Sequence, residues 1–138
     1  MRLPARLLQQ IVGRPVAHFS GSGHKRALGR VTLETRAAIF PIHGEVLDNP
    51  IQVTVHDISA ETVGLVSPEA MMPSAHLAIR IDVPDGEAIA IRCQVTRCVR
   101  QADGRFALVA EFVELIDVES LEPQYQSGKL KNDDRAVE

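Results

Sequence analysis

Tryptophan is missing from this 138-residue chain, and Tyr125 is its single tyrosine beside four phenylalanines. Proteins that bind single-stranded nucleic acid without sequence preference stack its bases on aromatic side chains, so a nucleic-acid-binding barrel of the oligonucleotide type is a weak alternative. Two cysteines, Cys93 and Cys98, are too few for a disulfide framework. On one strand their spacing puts them on opposite faces, as unpaired thiols of a reducing compartment. No apolar run approaches the roughly 18 residues of a membrane-spanning helix, and the opening Leu3 to Gln10 is too short and too polar for a signal peptide. A cytoplasmic location without membrane insertion is expected. The five histidines, His18, His24, His43, His56 and His76, lack metal-ligand spacing, so no metal site is expected.

Acidic residues are absent from the first thirty positions, where Arg2, Arg6, Arg14, Lys25, Arg26 and Arg30 stand alone. Residues 31–138 carry nine Lys or Arg against eighteen Asp or Glu. An acidic body repels a long polyphosphate, which argues against nucleic acid as a partner. A small anion met by a local basic arm fits better. The length suits one domain with a core of ordinary size.

Hydrophobic periodicity divides the chain. Leu3, Leu7, Leu8, Ile11 and Val12 fall at helical spacing and predict a short amphipathic helix ending before Gly13. Its apolar stripe packs either on its own domain or on a second molecule. From about residue 30 the period becomes two, with strands predicted near 31–41, 51–56, 63–67, 77–83, 88–100 and 106–112. In the fifth, Ile89, Ile91, Cys93, Val95 and Val99 are expected on one side. Pro84-Asp85-Gly86 and Ala102-Asp103-Gly104 read as turns between antiparallel neighbours. Such a set closes most easily into a small antiparallel barrel or sandwich. A short helix is predicted around 118–126, followed by a frayed end.

Two segments concentrate residues suited to a nucleotide. Arg26-Ala27-Leu28-Gly29-Arg30 places two guanidinium forks four positions apart after Gly21-Ser22-Gly23. Asp57-Ile58-Ser59-Ala60-Glu61-Thr62-Val63-Gly64-Leu65 puts a carboxylate and a hydroxyl at the end of a strand. Guanine carries O6 and N7 acceptors that suit an arginine fork, and N–H donors that suit a carboxylate. Arg97, among apolar strand positions, is a candidate phosphate contact or an end-of-barrel ion pair. No nucleophile–base pair, phosphate loop or paired carboxylates support an enzyme.

In this order and spacing the two segments resemble the motifs of the PilZ domain, the bacterial receptor module for cyclic di-GMP. The resemblance covers roughly residues 24–126. Arg26 to Arg30 matches the family's RxxxR motif ahead of the first strand, and Asp57, Ile58 and Ser59 begin its DxSxxG motif. Gly64-Leu65-Val66-Ser67 and Gln94-Val95-Thr96-Arg97 are also similar to downstream stretches of the family. Thr62 stands where the motif has glycine, with Gly64 two positions later. A glycine serves positive φ or close approach of the backbone, so the expectation is a turn rebuilt around Gly64 or weakened binding.

The resemblance implies a mainly β protein, a six-stranded antiparallel barrel with a short helix at each end. It divides the chain into an N-terminal helix and basic arm (1–23), the barrel domain (24–126) and a charged tail (127–138). The implied ligand is cyclic di-GMP, bound by Arg26, Arg30, Asp57, Ser59, Thr62, Gly64 and Arg97, without a metal. The implied partner is an unidentified protein effector, and a homodimer is compatible with the apolar stripe of the helix. The alternative is a family adaptor that binds protein but no nucleotide.

Overall fold

Alternating apolar residues draw six long strands into one closed sheet. The computed structural model describes residues 1–13, 30–84 and 86–123. Its strands are β1 (Val31–His43), the two-residue β2 (Val46–Leu47), β3 (Ile51–Ile58), β4 (Thr62–Ser67), β5 (His76–Asp82), β6 (Ala88–Arg100) and β7 (Phe106–Ile116). All pairings are antiparallel, in the order β1-β3-β4-β7-β6-β5, and β5 pairs back onto β1 through registers such as Ile39↔Ile79. Closure leaves no long open edge. β2 adds only to the end of β1, through Ile42↔Leu47 and His43↔Val46. The fold is therefore the mainly β, six-stranded antiparallel barrel that the alternation and the motif order predict.

The barrel interior is filled by inward residues of each strand, among them Val55, Ile58, Leu65, Ile79, Ile91, Leu108 and Phe112. Turns after β5 and β6 close through Gly86, whose N–H donates to the Val83 carbonyl at 3.0 Å, and Gly104, whose N–H donates to the Gln101 carbonyl at 3.0 Å. Both glycines have positive φ, +103° and +90°, a conformation that other residues rarely adopt.

One end of the barrel is stoppered by helix α1 (Ala5–Val12). Leu3, Leu8 and Ile11 are buried in the main core, so the stripe packs on its own domain rather than on a second molecule. Burying each such side chain stabilises by about 1.5–3 kcal/mol. The helix stops at Gly13, where φ is +81° and a Cβ would lie 3.1 Å from the Pro84 ring. A smaller cluster, Ala38, Phe40, Ala78, Ala90 and Leu121, lies around the 3-10 turn Val118–Leu121. That turn begins the segment predicted as a helix over 118–126, of which 124–126 lie outside the described residues, as does the tail 127–138.

β6 departs from strict alternation. Its register with β7 shifts between Arg92 and Cys93 and again between Val95 and Arg97. A bulge adds one residue and reverses the phase beyond it. Val99, expected inside, is 45% exposed, while Cys98 packs against the core on the same side as Cys93. The two thiols thus do not point to opposite faces, and both are free. Burial pushes the Cys93 thiol up to about 12. In the native protein near pH 8 a chromogenic disulfide reagent should modify Cys98 first and spare Cys93, with both reacting in denaturant. Rapid reaction of both thiols in the folded state would contradict the burial. The unfolded chain loses the Cys93 proton at a lower pH than the folded one, so this group lowers stability as pH rises from about 9 toward 12.

Candidate functional site

The outer face of β3 is set by a second bulge. Val55 and Ile58 are both buried, a spacing of three that simple alternation does not allow. The β3–β4 register shifts between Val55 and Asp57, leaving His56 as the extra residue and turning Asp57 outward. There the Asp57 side chain is 19% exposed, and its Oδ1 accepts a hydrogen bond of 2.7 Å from an Arg30 guanidinium nitrogen. Nδ1 of His56 lies 3.2 Å from the other oxygen, Oδ2. Arg30 stands immediately before β1, two residues from Thr32, the cross-strand partner of Asp57.

Beneath the carboxylate is Gly64, the partner of Asp57 on β4. A Cβ at residue 64 would come within 2.6 Å of Oδ1 and 2.9 Å of Oδ2. No heavy atom fits there while the carboxylate keeps its place. Gly64 is thus required by close approach of a side chain.

The Ser59–Thr62 turn is closed without glycine. The Ser59 N–H donates to the Thr62 carbonyl at 2.9 Å, and Ser59 Oγ accepts from the Thr62 N–H at 3.0 Å and the Glu61 N–H at 3.2 Å. The two hydroxyls of Ser59 and Thr62 are 3.0 Å apart. Thr62 starts β4 and has no positive φ, so its β-branched side chain suits the position. Carboxylate Glu61 is met by Arg2 at 3.6 Å. The turn is also tied to the N-terminal segment, where the Leu3 N–H donates to the Ala60 carbonyl at 2.7 Å, and to β7, where the Phe112 N–H donates to the Glu61 carbonyl at 2.9 Å.

Arg97 lies on the same row of the sheet. Gly64 and Arg97 both pair with Val109 of β7, so Thr32, Asp57, Gly64, Val109 and Arg97 cross five strands at one level. The bulge that reverses β6 points Arg97 outward, where it makes no ion pair among the described residues. Two strand spacings, about 10 Å, separate it from Gly64. The row thus carries a carboxylate on β3 and a guanidinium on β6. Arg26 lies outside the described residues, as do His24 and Lys25.

A family model described as PilZ domain matches residues 25–123. The chain belongs to the PilZ domain family. Among curated proteins none matches it. In fold this PilZ domain is similar to the structure of Bacillus subtilis inhibitor of motility (MotI/DgrA), with a TM-score of 0.53 and 15% sequence identity. The similarity covers 76% of this chain and 50% of that one, so the PilZ domain spans half that protein's length.

One residue beside Asp57 is not signalled by its type or spacing. His56 reads as a solvent-facing strand residue, and only the bulge brings it to Asp57. The clue available in the sequence is the pair of apolar residues Val55 and Ile58, whose spacing of three marks a phase break. Among the described residues no helix is long and apolar enough to cross a membrane.

Proposed function

We propose that this PilZ domain is a receptor for cyclic di-GMP that reads guanine at Asp57 and passes binding on through its N-terminal segment to a protein partner. The observation that carries this reading is the Asp57 carboxylate, set over Gly64 and flanked by Arg30 on the outer face of the barrel. A carboxylate offers about four lone-pair sites, of which the Arg30 hydrogen bond occupies one on Oδ1, while Nδ1 of His56 stands 3.2 Å from Oδ2. Each oxygen keeps at least one site toward solvent, and guanine presents two N–H donors side by side on its Watson–Crick edge. The Arg30 guanidinium has further N–H groups for O6, N7 or a phosphate, Arg26 supplies a second fork from the arm, and Arg97 serves a phosphate further along the row. Ser59 and Thr62 shape the turn beside the base.

Adenine lacks the paired N–H edge, so the reading is tested by comparing ligands. Cyclic di-GMP is expected to bind at least 10-fold more tightly than cyclic di-AMP, on the scale of about 1–3 kcal/mol per bidentate base contact. Equal affinity would refute recognition through Asp57. Gly64→Ala provides a second test: the new methyl displaces the carboxylate, a flexible group, so folding is retained while cyclic di-GMP affinity falls roughly 10-fold or more. Unchanged affinity would show that Asp57 is not where the base is read.

The Leu3–Ala60 hydrogen bond joins the motif turn to the segment leading into α1. Ligand settling on that turn and on the arm would shift the balance of α1 positions, a population change that a partner can sense. Saturating cyclic di-GMP should alter limited proteolysis within residues 13–25; an unchanged pattern would defeat this route of signalling. The Ser59 hydroxyl, already engaged by two backbone N–H groups, and Thr62 in the glycine position favour a second reading, an adaptor without nucleotide.

A further inference from the structure

At the end of β3 away from Asp57, the barrel carries a groove of about 500 Å³ between the β1–β3 connection and the β4–β5 loop. Its walls are largely apolar, with Pro41, Pro50, Ile51, Met71 and Met72 among them. Met72 is 76% exposed, the most exposed large apolar side chain of the described residues. From Ile51 to Asp57 the distance along the strand is roughly 20 Å, which separates the groove from the nucleotide site.

The loop presenting the methionines is held in place. Ser74 has a φ of +80°, and it is the single non-glycine residue with positive φ among those described. Its N–H donates to the Val95 carbonyl at 2.7 Å, the Val95 N–H donates to the Ala75 carbonyl at 2.8 Å, and Gln94 Nε2 donates to the Ser74 carbonyl at 3.3 Å. Three hydrogen bonds to β6 thus fix a conformation that serine adopts at a cost, and such outliers cluster at ligand clamps. The groove is preformed, which spares a partner the entropy of ordering it.

Charge selects the occupant. Residues 41–51 and 67–76 contain Glu45, Asp48 and Glu69 and no lysine or arginine. Asp48 lies 3.5 Å from His43, and Glu69 makes no ion pair among the described residues. We infer that this groove docks a basic segment of a partner protein, an apolar side chain entering beside Met72 while flanking lysines or arginines meet Asp48 and Glu69. The methionines accommodate varied apolar anchors, and the carboxylates set orientation and exclude acidic segments.

The test is selection of random displayed peptides on the full-length protein, with Met72→Glu as counter-target. The two substitutions in the groove, Met72→Glu and Glu69→Lys, lie on its exposed rim, and a thermal melt verifies folding. Enriched peptides should carry lysine or arginine around an apolar residue, shift the amide resonances of residues 48–51 and 69–75, and lose at least 10-fold in affinity to each variant. No enrichment, enrichment of acidic peptides, or shifts located elsewhere would overturn the proposal. So would a dimer abolished by Met72→Glu, which makes the occupant a second copy. Groove shifts caused by Lys129→Glu with Lys131→Glu and no added peptide would overturn it too, by assigning the groove to the chain's own tail. None of these outcomes depends on whether cyclic di-GMP binds.

Discussion

Replacing Asp57 with alanine is expected to weaken cyclic di-GMP binding by roughly 10- to 100-fold while the barrel stays folded. In the proposed site the carboxylate accepts from both guanine N–H donors, and its loss would leave them unpaired against an apolar methyl. Stability should change little. The Arg30–Asp57 pair is partly exposed, with Arg30 47% accessible, and such pairs contribute about 0–1 kcal/mol. Asn at residue 57 keeps one acceptor oxygen and should fall between the wild type and alanine. Titration alongside a thermal melt checks both halves, and unchanged affinity in a folded Asp57→Ala protein would remove the carboxylate from the site.

Phe112→Ala should cost about 3–5 kcal/mol, the range for truncating a buried aromatic. Phe112 is 1% exposed, faces the barrel interior, and is among the largest buried side chains of the described residues. Its backbone also joins two parts of the site end: the N–H holds Glu61, and the carbonyl accepts from the Met1 ammonium at 2.7 Å. For a domain with a total stability of about 5–15 kcal/mol this is a large fraction. The melting temperature should fall by roughly 10–20 °C. A fall of less than about 3 °C would mean that the cavity collapses without loss or that Phe112 is not a core residue.

Strands were legible wherever alternation ran unbroken between turn glycines, as for Leu77 to Val83 before Gly86 and Phe106 to Phe112 after Gly104. Where alternation fails, the strands carry bulges. At His56 and at Thr96 one added residue reverses the facing of all that follows, and a pattern of period two carries no mark of which residue is extra. These reversals put Asp57 and Arg97 on the outer face and Cys98 inside. Closure of the barrel through β1 and β5 was not written in local periodicity either, since it pairs residues some forty positions apart. Arg30 with Asp57 was suggested by the resemblance to the PilZ motifs, and the structure brings the two together across 27 positions. From sequence Gly64 looks like a turn device because glycine commonly is one; its actual constraint is the carboxylate above it, which only the three-dimensional structure reveals. The apolar stripe of α1 was clear, but a stripe does not name its partner, and burial of Leu8 and Ile11 in the barrel end does.

Asp57, Arg30 and the basic arm are proposed to form one guanine-reading site, and the deciding measurement is calorimetric titration with cyclic di-GMP at moderate salt, with GTP as a control and Arg26→Ala, Arg30→Ala and Asp57→Ala as variants. Saturable micromolar or tighter binding by the wild type is expected, with a loss of at least 10-fold in each variant. Absence of heat at high ligand concentration, or binding indifferent to all three substitutions, would contradict it.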